Sequence, residues 1–131
     1  MSRDQFLAAA DAGFFLEWEE FNGNLYGTPL SSVESGRVLL LEIDAKGART
    51  VRGISPTALI IALEPPSLAT LGERMTQRGD DPSQIERRLA IAADEMVLAR
   101  EVADFLLVNT ELHHTVDMVV SMIEDWLTLR I

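Results

Sequence analysis

Cysteine is absent from the 131 residues, so neither disulfides nor a thiolate metal site can hold this chain together, and the cytosol is its expected compartment. Positive charge is scarce: 11 Lys and Arg stand against 21 Asp and Glu, for a net charge of −10. Nucleic-acid affinity comes mainly from cations that neutralise phosphates. No nucleic-acid partner is therefore expected, and any anion site has to be a local cluster of arginines. Long apolar runs are missing too. The longest, Ala58 to Leu63, is strand-sized, far short of the roughly 20 residues that span a membrane. The chain opens Met1-Ser2-Arg3-Asp4-Gln5, with an acid and no apolar stretch of signal length, which argues against a secretory leader. Nothing reads G-x-x-x-x-G-K-S/T, the loop whose amides and lysine cradle nucleotide phosphates.

What is present suits one globular domain, with 47% apolar residues available for a core. Ser2 and Gln5 read as a capping box for a short helix that carries Phe6, Leu7 and Ala10 and closes at Gly13. Phe14 to Phe21 alternates apolar and acidic residues, Asn22-Gly23 is a strong hairpin signal, and Asn24 to Tyr26 returns, so an antiparallel ribbon is predicted. Thr28 as N-cap with Pro29 in first position predicts a helix that stops near Gly36. Val38 to Ile43 is nearly unbroken apolar sequence and reads as a buried parallel strand, as does Ala58 to Leu63. Pro65-Pro66-Ser67 gives a loop and an N-cap, and Leu68, Leu71 and Met75 mark one face of the helix that follows. After the polar break Gly79 to Ser83, a long helix from Ser83 carries Ile85, Leu89, Ala92, Met96 and Ala99. Phe105 to Val108 is a third strand, and Leu112, Val116, Val119, Ile123 and Trp126 line the last helix. Strands alternating with helices predict a parallel sheet with right-handed crossovers. His113 and His114 read as helix surface and not as metal ligands, and no metal site is expected. The methionines at 75, 96, 118 and 122 read as core filling.

Three blocks stand in order: Phe15-Leu16-Glu17-Trp18, then Asn24-Leu25-Tyr26-Gly27-Thr28, then Leu41 to Ala48 with Ile43, Asp44 and Gly47. Written F-L-E-W, N-x-Y-G-T and L-x-I-D-x-x-G-A, they resemble the guanylate kinase family, and the resemblance runs from Ser2 to the last helix. It implies an α/β fold of the P-loop nucleoside monophosphate kinase type over residues 1–131, a parallel sheet with helices on both faces. The first strand and P-loop are missing from it, and a small antiparallel GMP-binding ribbon (14–28) and a lid region (74–88) are added. The implied activity is ATP-dependent phosphorylation of GMP, with magnesium accompanying ATP.

The resemblance also implies roles, each beside a plainer reading. Glu17 would accept hydrogen bonds from the guanine edge, or be an ordinary strand carboxylate. The chemistry suits guanine, whose N1–H and N2–H2 donate where adenine N1 accepts. Asp44, at the carboxyl end of an expected strand, would also face guanine, or cap the next helix. Tyr26 would hold the GMP phosphate and Thr28 lie near the base, or the two would simply end a strand and cap a helix. Arg74, Arg78, Arg87 and Arg88 surround the polar break and resemble the kinase lid, R-x-x-x-R-G followed by I-E-R-R-L, whose arginines clamp phosphoryl oxygens. As plain sequence they are charged helix ends. Asn109 would lie near the adenine of ATP, or end a strand in a turn.

The family's first strand lies between the strands matching Val38 to Ile43 and Ala58 to Leu63. Without it both lose their shared neighbour, and self-association through unpaired central strands is expected. A chain of this kind would be an N-terminally truncated kinase, inactive alone. The alternative class is a non-catalytic guanylate-kinase-like module that recognises a phosphorylated ligand.

Overall fold

In the computed structural model, which describes residues 1–32 and 36–129, the two caps of the first helix satisfy each other. The Ser2 hydroxyl accepts from the Gln5 amide at 3.2 Å and Gln5 Oε1 accepts from the Ser2 amide at 2.8 Å, launching α1 (Arg3–Asp11). Two strands follow, β1 (Phe15–Phe21) and β2 (Asn24–Pro29), paired antiparallel with Glu17 opposite Thr28 and Glu19 opposite Tyr26. They turn at Asn22 and Gly23, whose φ angles of 50° and 79° match the right-handed twist of the strands. The ribbon is two-faced. On one side Phe6 of α1 stacks on Phe15 at 4.3 Å and meets Trp18 edge-on at 5.9 Å, so these two aromatic residues of β1 pack against α1. Gly27 belongs to that side, where a Cβ would stand 2.8 Å from the Phe15 ring. The opposite face carries Glu17, Glu19, Tyr26 and Thr28.

Two expectations fail next. Thr28 does not cap a helix: its backbone stays in the ladder through Pro29, its hydroxyl turns to Glu17, and among the described residues a 3₁₀ turn, Leu30–Ser32, follows. Proline suits the last strand position because it has no N–H to leave unpaired. Residues 33–35, the middle of the expected helix, lie outside the described residues. Val38 to Ile43 is not a strand either. A strand exists only through a ladder, and among the described residues nothing pairs with this segment; Val38, Leu39 and Leu40 stay exposed. Asp44 then caps α2 (Ala45–Ile54).

The described residues fall into two compact units, Met1–Pro56 and Thr57–Ile131. The second unit holds β3 (Ile61–Glu64) and β4 (Phe105–Val108), parallel and in register Ile61 to Phe105 through Glu64 to Val108. β3 starts three residues later than the apolar run suggests, because the Asp104 carboxylate takes the Ile60 amide at 2.8 Å and the ladder begins only beyond it. Nor is it uniformly buried: Ala62 is, but Leu63 is 54% exposed. Around this pair lie α3 (Leu68–Gln77), capped by Ser67, α4 (Pro82–Val102), capped by Asp81 with proline in its first turn, and α5 (Leu112–Leu129). Helices α3 and α4 approach closely at Gly72, where a Cβ would stand 3.3 Å from Leu89. The core of the unit includes Met75, Ala62 and Thr115.

Candidate functional site

In the first unit the ribbon face and the start of α2 bring three of the expected residues together. Glu17 is only 5% exposed, and an ionised carboxylate that deep needs donors around it. Thr28, directly across the ladder, donates its hydroxyl to Glu17 Oε1 at 2.6 Å. The other oxygen lies beside Gly47, where a Cβ would be 3.3 Å from Glu17 Oε2 and 3.1 Å from Asp44 Oδ1. Gly47 therefore lets two carboxylates, Glu17 and Asp44, flank one point of backbone. Asp44 also does what the plainer reading allowed, accepting from the Gly47 amide at 2.8 Å as the N-cap of α2. Tyr26 shares the face and is 57% exposed, its phenol open to solvent. Glu19, across from Tyr26, sits 3.5 Å from the Thr50 hydroxyl of α2. A ligand at this face meets carboxylate acceptors at one end and a phenol at the other.

In the second unit the four arginines divide. Arg78 grips Asp80 with two groups, Nε to Oδ1 at 3.0 Å and Nη2 to Oδ2 at 2.5 Å. Arg88, from the second turn of α4, reaches the same Oδ2 at 3.1 Å. The Arg78 hydrogen bonds, aided by Arg88, hold the Asp80 carboxyl below the usual range, against a smaller upward push from desolvation, and Asp80 raises Arg78 in return. Arg74 turns elsewhere and donates to the Asn109 carbonyl at 3.3 Å. Arg87 makes no ion pair with another described residue.

Asn109 follows β4, with its amide on the Glu64 carbonyl at 2.7 Å and its side-chain oxygen accepting from the buried Thr115 hydroxyl at 2.9 Å. Beside it Glu64, 5% exposed, is held bidentately by Arg100 at 2.7 and 3.0 Å. That hydrogen bond pulls the Glu64 carboxyl below its ordinary value, outweighing the opposing effect of burial. Asp80, Glu64, Arg100 and Thr115 were not singled out from sequence. The signal for Asp80 lay in Arg-Gly-Asp-Asp, an acid set inside the arginine cluster; the other three need the packed fold to be seen. His113 and His114 are exposed, with both amides capped by the Glu111 carboxylate at 2.9 and 2.7 Å.

A family model described as guanylate kinase matches residues 1–126. The chain belongs to the guanylate kinase family. The guanylate kinase of Prochlorococcus marinus (strain MIT 9313) is 44% identical over 117 residues, covering 86% of this chain and 61% of that protein. That of Rhodococcus jostii (strain RHA1) is 39% identical over 129 residues, covering 93% and 62%. The crystal structure of guanylate kinase from Anaplasma phagocytophilum matches with a TM-score of 0.79 at 28% identity, covering 95% of this chain and 62% of that one. The guanylate kinase fold is thus shared across nearly the whole chain, which spans roughly three-fifths of the length of these relatives. Among the described residues no helix is long and apolar enough to cross a membrane.

Proposed function

We propose that this chain is the base-reading and lid-bearing part of a guanylate kinase, in which Glu17, Thr28 and Asp44 hold the guanine of GMP and Tyr26 its phosphate. The observation that carries the reading is the buried Glu17 carboxylate, oriented by the Thr28 hydroxyl at 2.6 Å and crowded against Gly47. With Thr28 supplying a donor to one oxygen, the carboxylate offers its remaining lone pairs to a ligand that donates. Guanine presents N1–H and N2–H2 along one edge; adenine presents an acceptor there and would leave the carboxylate facing a lone pair. A phenol further along the same face suits a phosphate oxygen.

The activity would be transfer of the ATP γ-phosphoryl group to GMP, with Arg74, Arg78, Arg87 and Arg88 placing charge around the transferring group and Asn109 near adenine. Phosphoryl transfer depends chiefly on positioning and charge neutralisation, which an arginine cluster supplies. Among the described residues no cluster of three His, Asp or Glu side chains stands ready for a metal ion. Magnesium accompanying ATP would neutralise part of the phosphate charge. The four lid arginines support this enzyme lineage over a non-catalytic binding module. A nucleotide kinase of this kind works where GMP and ATP are, in the cytoplasm, and exposed apolar residues on Val38 to Leu40 and on both described strands of the second unit favour self-association.

The test is a titration of the chain with GMP, IMP and AMP. Binding should weaken in that order, since IMP keeps N1–H but loses the N2 amino group and AMP reverses the N1 donor. AMP binding as tightly as GMP would overturn the reading.

A further inference from the structure

Asp80 occupies the lid arginines where a phosphate would. Arg78 spends its Nε and Nη2 on the two Asp80 oxygens, at 3.0 and 2.5 Å. This is the paired edge with which a guanidinium grips a phosphate bidentately. Arg88 adds Nη1 to the same Oδ2 at 3.1 Å, so both cations meet on one carboxylate oxygen. Burial follows the same order: the Asp80 side chain is 17% exposed, while Arg78 and Arg88 are 64% and 47% exposed. The neighbouring acid, Asp81, is committed differently. Its carboxylate caps α4, accepting from the Ser83 amide at 3.0 Å and the Ser83 hydroxyl at 2.9 Å.

We infer that Asp80 is an internal anion that keeps the Arg78–Arg88 clamp closed to phosphate, and that an incoming phosphoryl group must displace it. The inference rests on the lid reading proposed above. Arg78 cannot hold Asp80 and a phosphate with the same edge, so the two compete. The competition is reversible, because both guanidiniums stand open to solvent that screens their hold on Asp80, and a polyphosphate carries more charge than one carboxylate. Its consequence is graded: apparent phosphate affinity falls by the fraction of time the clamp spends on Asp80.

Inorganic tripolyphosphate titrated into the 131-residue chain tests this. Asp80→Asn should tighten binding about three- to tenfold, the size expected when a modest surface pair no longer competes. Glu73→Gln makes the same charge change on α3, where Glu73 has no hydrogen bond or ion pair with Arg78 or Arg88 among the described residues, and should change binding less than about twofold. Equal tightening in both variants would reduce the effect to bulk charge and overturn the inference. So would unchanged or weaker binding in Asp80→Asn while Arg78→Ala or Arg88→Ala still weakens it, since Asp80 would then organise the clamp; the lid reading itself would survive. Tripolyphosphate binding indifferent to Arg78→Ala and Arg88→Ala would remove both. A readout on the unsubstituted chain needs no variant to fold: on adding tripolyphosphate, the Asp80 carboxyl ¹³C shift should move to that of an unpaired carboxylate as the Arg78 Nε–H signal shifts. Saturable movement at Arg78 with a static Asp80 signal would overturn the inference.

Discussion

Replacing Glu17 with glutamine asks whether this side chain reads the base. Thr28 decides what the replacement presents. Its hydroxyl donates to the Oε1 position at 2.6 Å, so glutamine keeps that bond only by turning its carbonyl to Thr28 and its amide NH2 toward the ligand. The NH2 then sits where Glu17 Oε2 now lies beside Gly47, and a donor faces the guanine donors. One charge-assisted hydrogen bond is lost, about 1.5 to 3 kcal/mol, which is about ten- to hundredfold in affinity at about 1.4 kcal/mol per decade. AMP should gain relative to GMP, because adenine N1 accepts from the new NH2. Calorimetric titration of both nucleotides into Glu17→Gln and into the unsubstituted chain measures the ratio. Glu19→Gln on the same ribbon face is the control, since Glu19 is 3.5 Å from Thr50 and has no comparable anchor.

The double variant Glu17→Gln, Thr28→Val sharpens the test. Without the Thr28 hydroxyl the glutamine amide is free to turn over and offer its carbonyl to guanine, so part of the lost GMP affinity should return. An unchanged GMP to AMP ratio in Glu17→Gln, or equal effects at Glu17 and Glu19, would refute the assignment of base reading to Glu17.

Further perturbations follow from the packing. Arg100→Ala orphans the buried Glu64 carboxylate and should lower stability by about 1 to 3 kcal/mol, whereas Glu64→Gln leaves a half-exposed guanidinium that water can solvate and should cost less; reversed costs in urea melts would contradict this. Because Arg100 pulls the Glu64 pKa below its ordinary 4.5, the folded carboxyl binds its proton later than the unfolded one. The Glu64 contribution is therefore full above about pH 4.5 and fades as pH falls through the lowered value, and an acid melt of Arg100→Ala should lose that component. Gly27→Ala would put a methyl carbon 2.8 Å from the Phe15 ring and 3.1 Å from Phe6, and should destabilise the α1–ribbon contact by about 1 to 3 kcal/mol; an unaltered near-ultraviolet circular dichroism spectrum and melting point would show that the rings can move aside. The 131-residue chain, with no G-x-x-x-x-G-K-S/T loop, should give no measurable ATP-dependent GDP from GMP, and in light scattering it should associate as its concentration rises. Turnover, or a monodisperse monomer, would refute the respective expectation.

Local signals carried the parts of the fold that local chemistry determines. The capping box at Ser2, the Asn22-Gly23 turn, the Ser67 cap and the break at Gly79 each rest on a few adjacent atoms, and each stands where the sequence puts it. Thr28-Pro29 misled because threonine serves equally as a helix cap and as a cross-strand partner. The choice depended on Glu17, eleven residues away, and the buried carboxylate took the hydroxyl. Val38 to Ile43 misled for a different reason. Apolar continuity reports a preference for burial, while a strand also needs a neighbour with free N–H and C=O groups, which periodicity cannot reveal.

The candidate site was legible in its residue types and illegible in its pairings. Glu17, Thr28 and Asp44 could be picked from motif blocks, yet the crowding at Gly47 that joins Glu17 to Asp44 appears only once α2 meets the ribbon face. The arginines show the limit most sharply. In a chain where 21 acids outnumber 11 bases, the carboxylates in excess compete for every guanidinium, and the nearest one is favoured because its effective concentration is high. Asp80 is two residues from Arg78 and eight from Arg88 across the α3–α4 turn, close enough that closure costs little chain entropy. The acidity of the chain thus has a local consequence: Arg78 and Arg88 already hold a carboxylate of their own, and a phosphate at the proposed lid would have to compete with it.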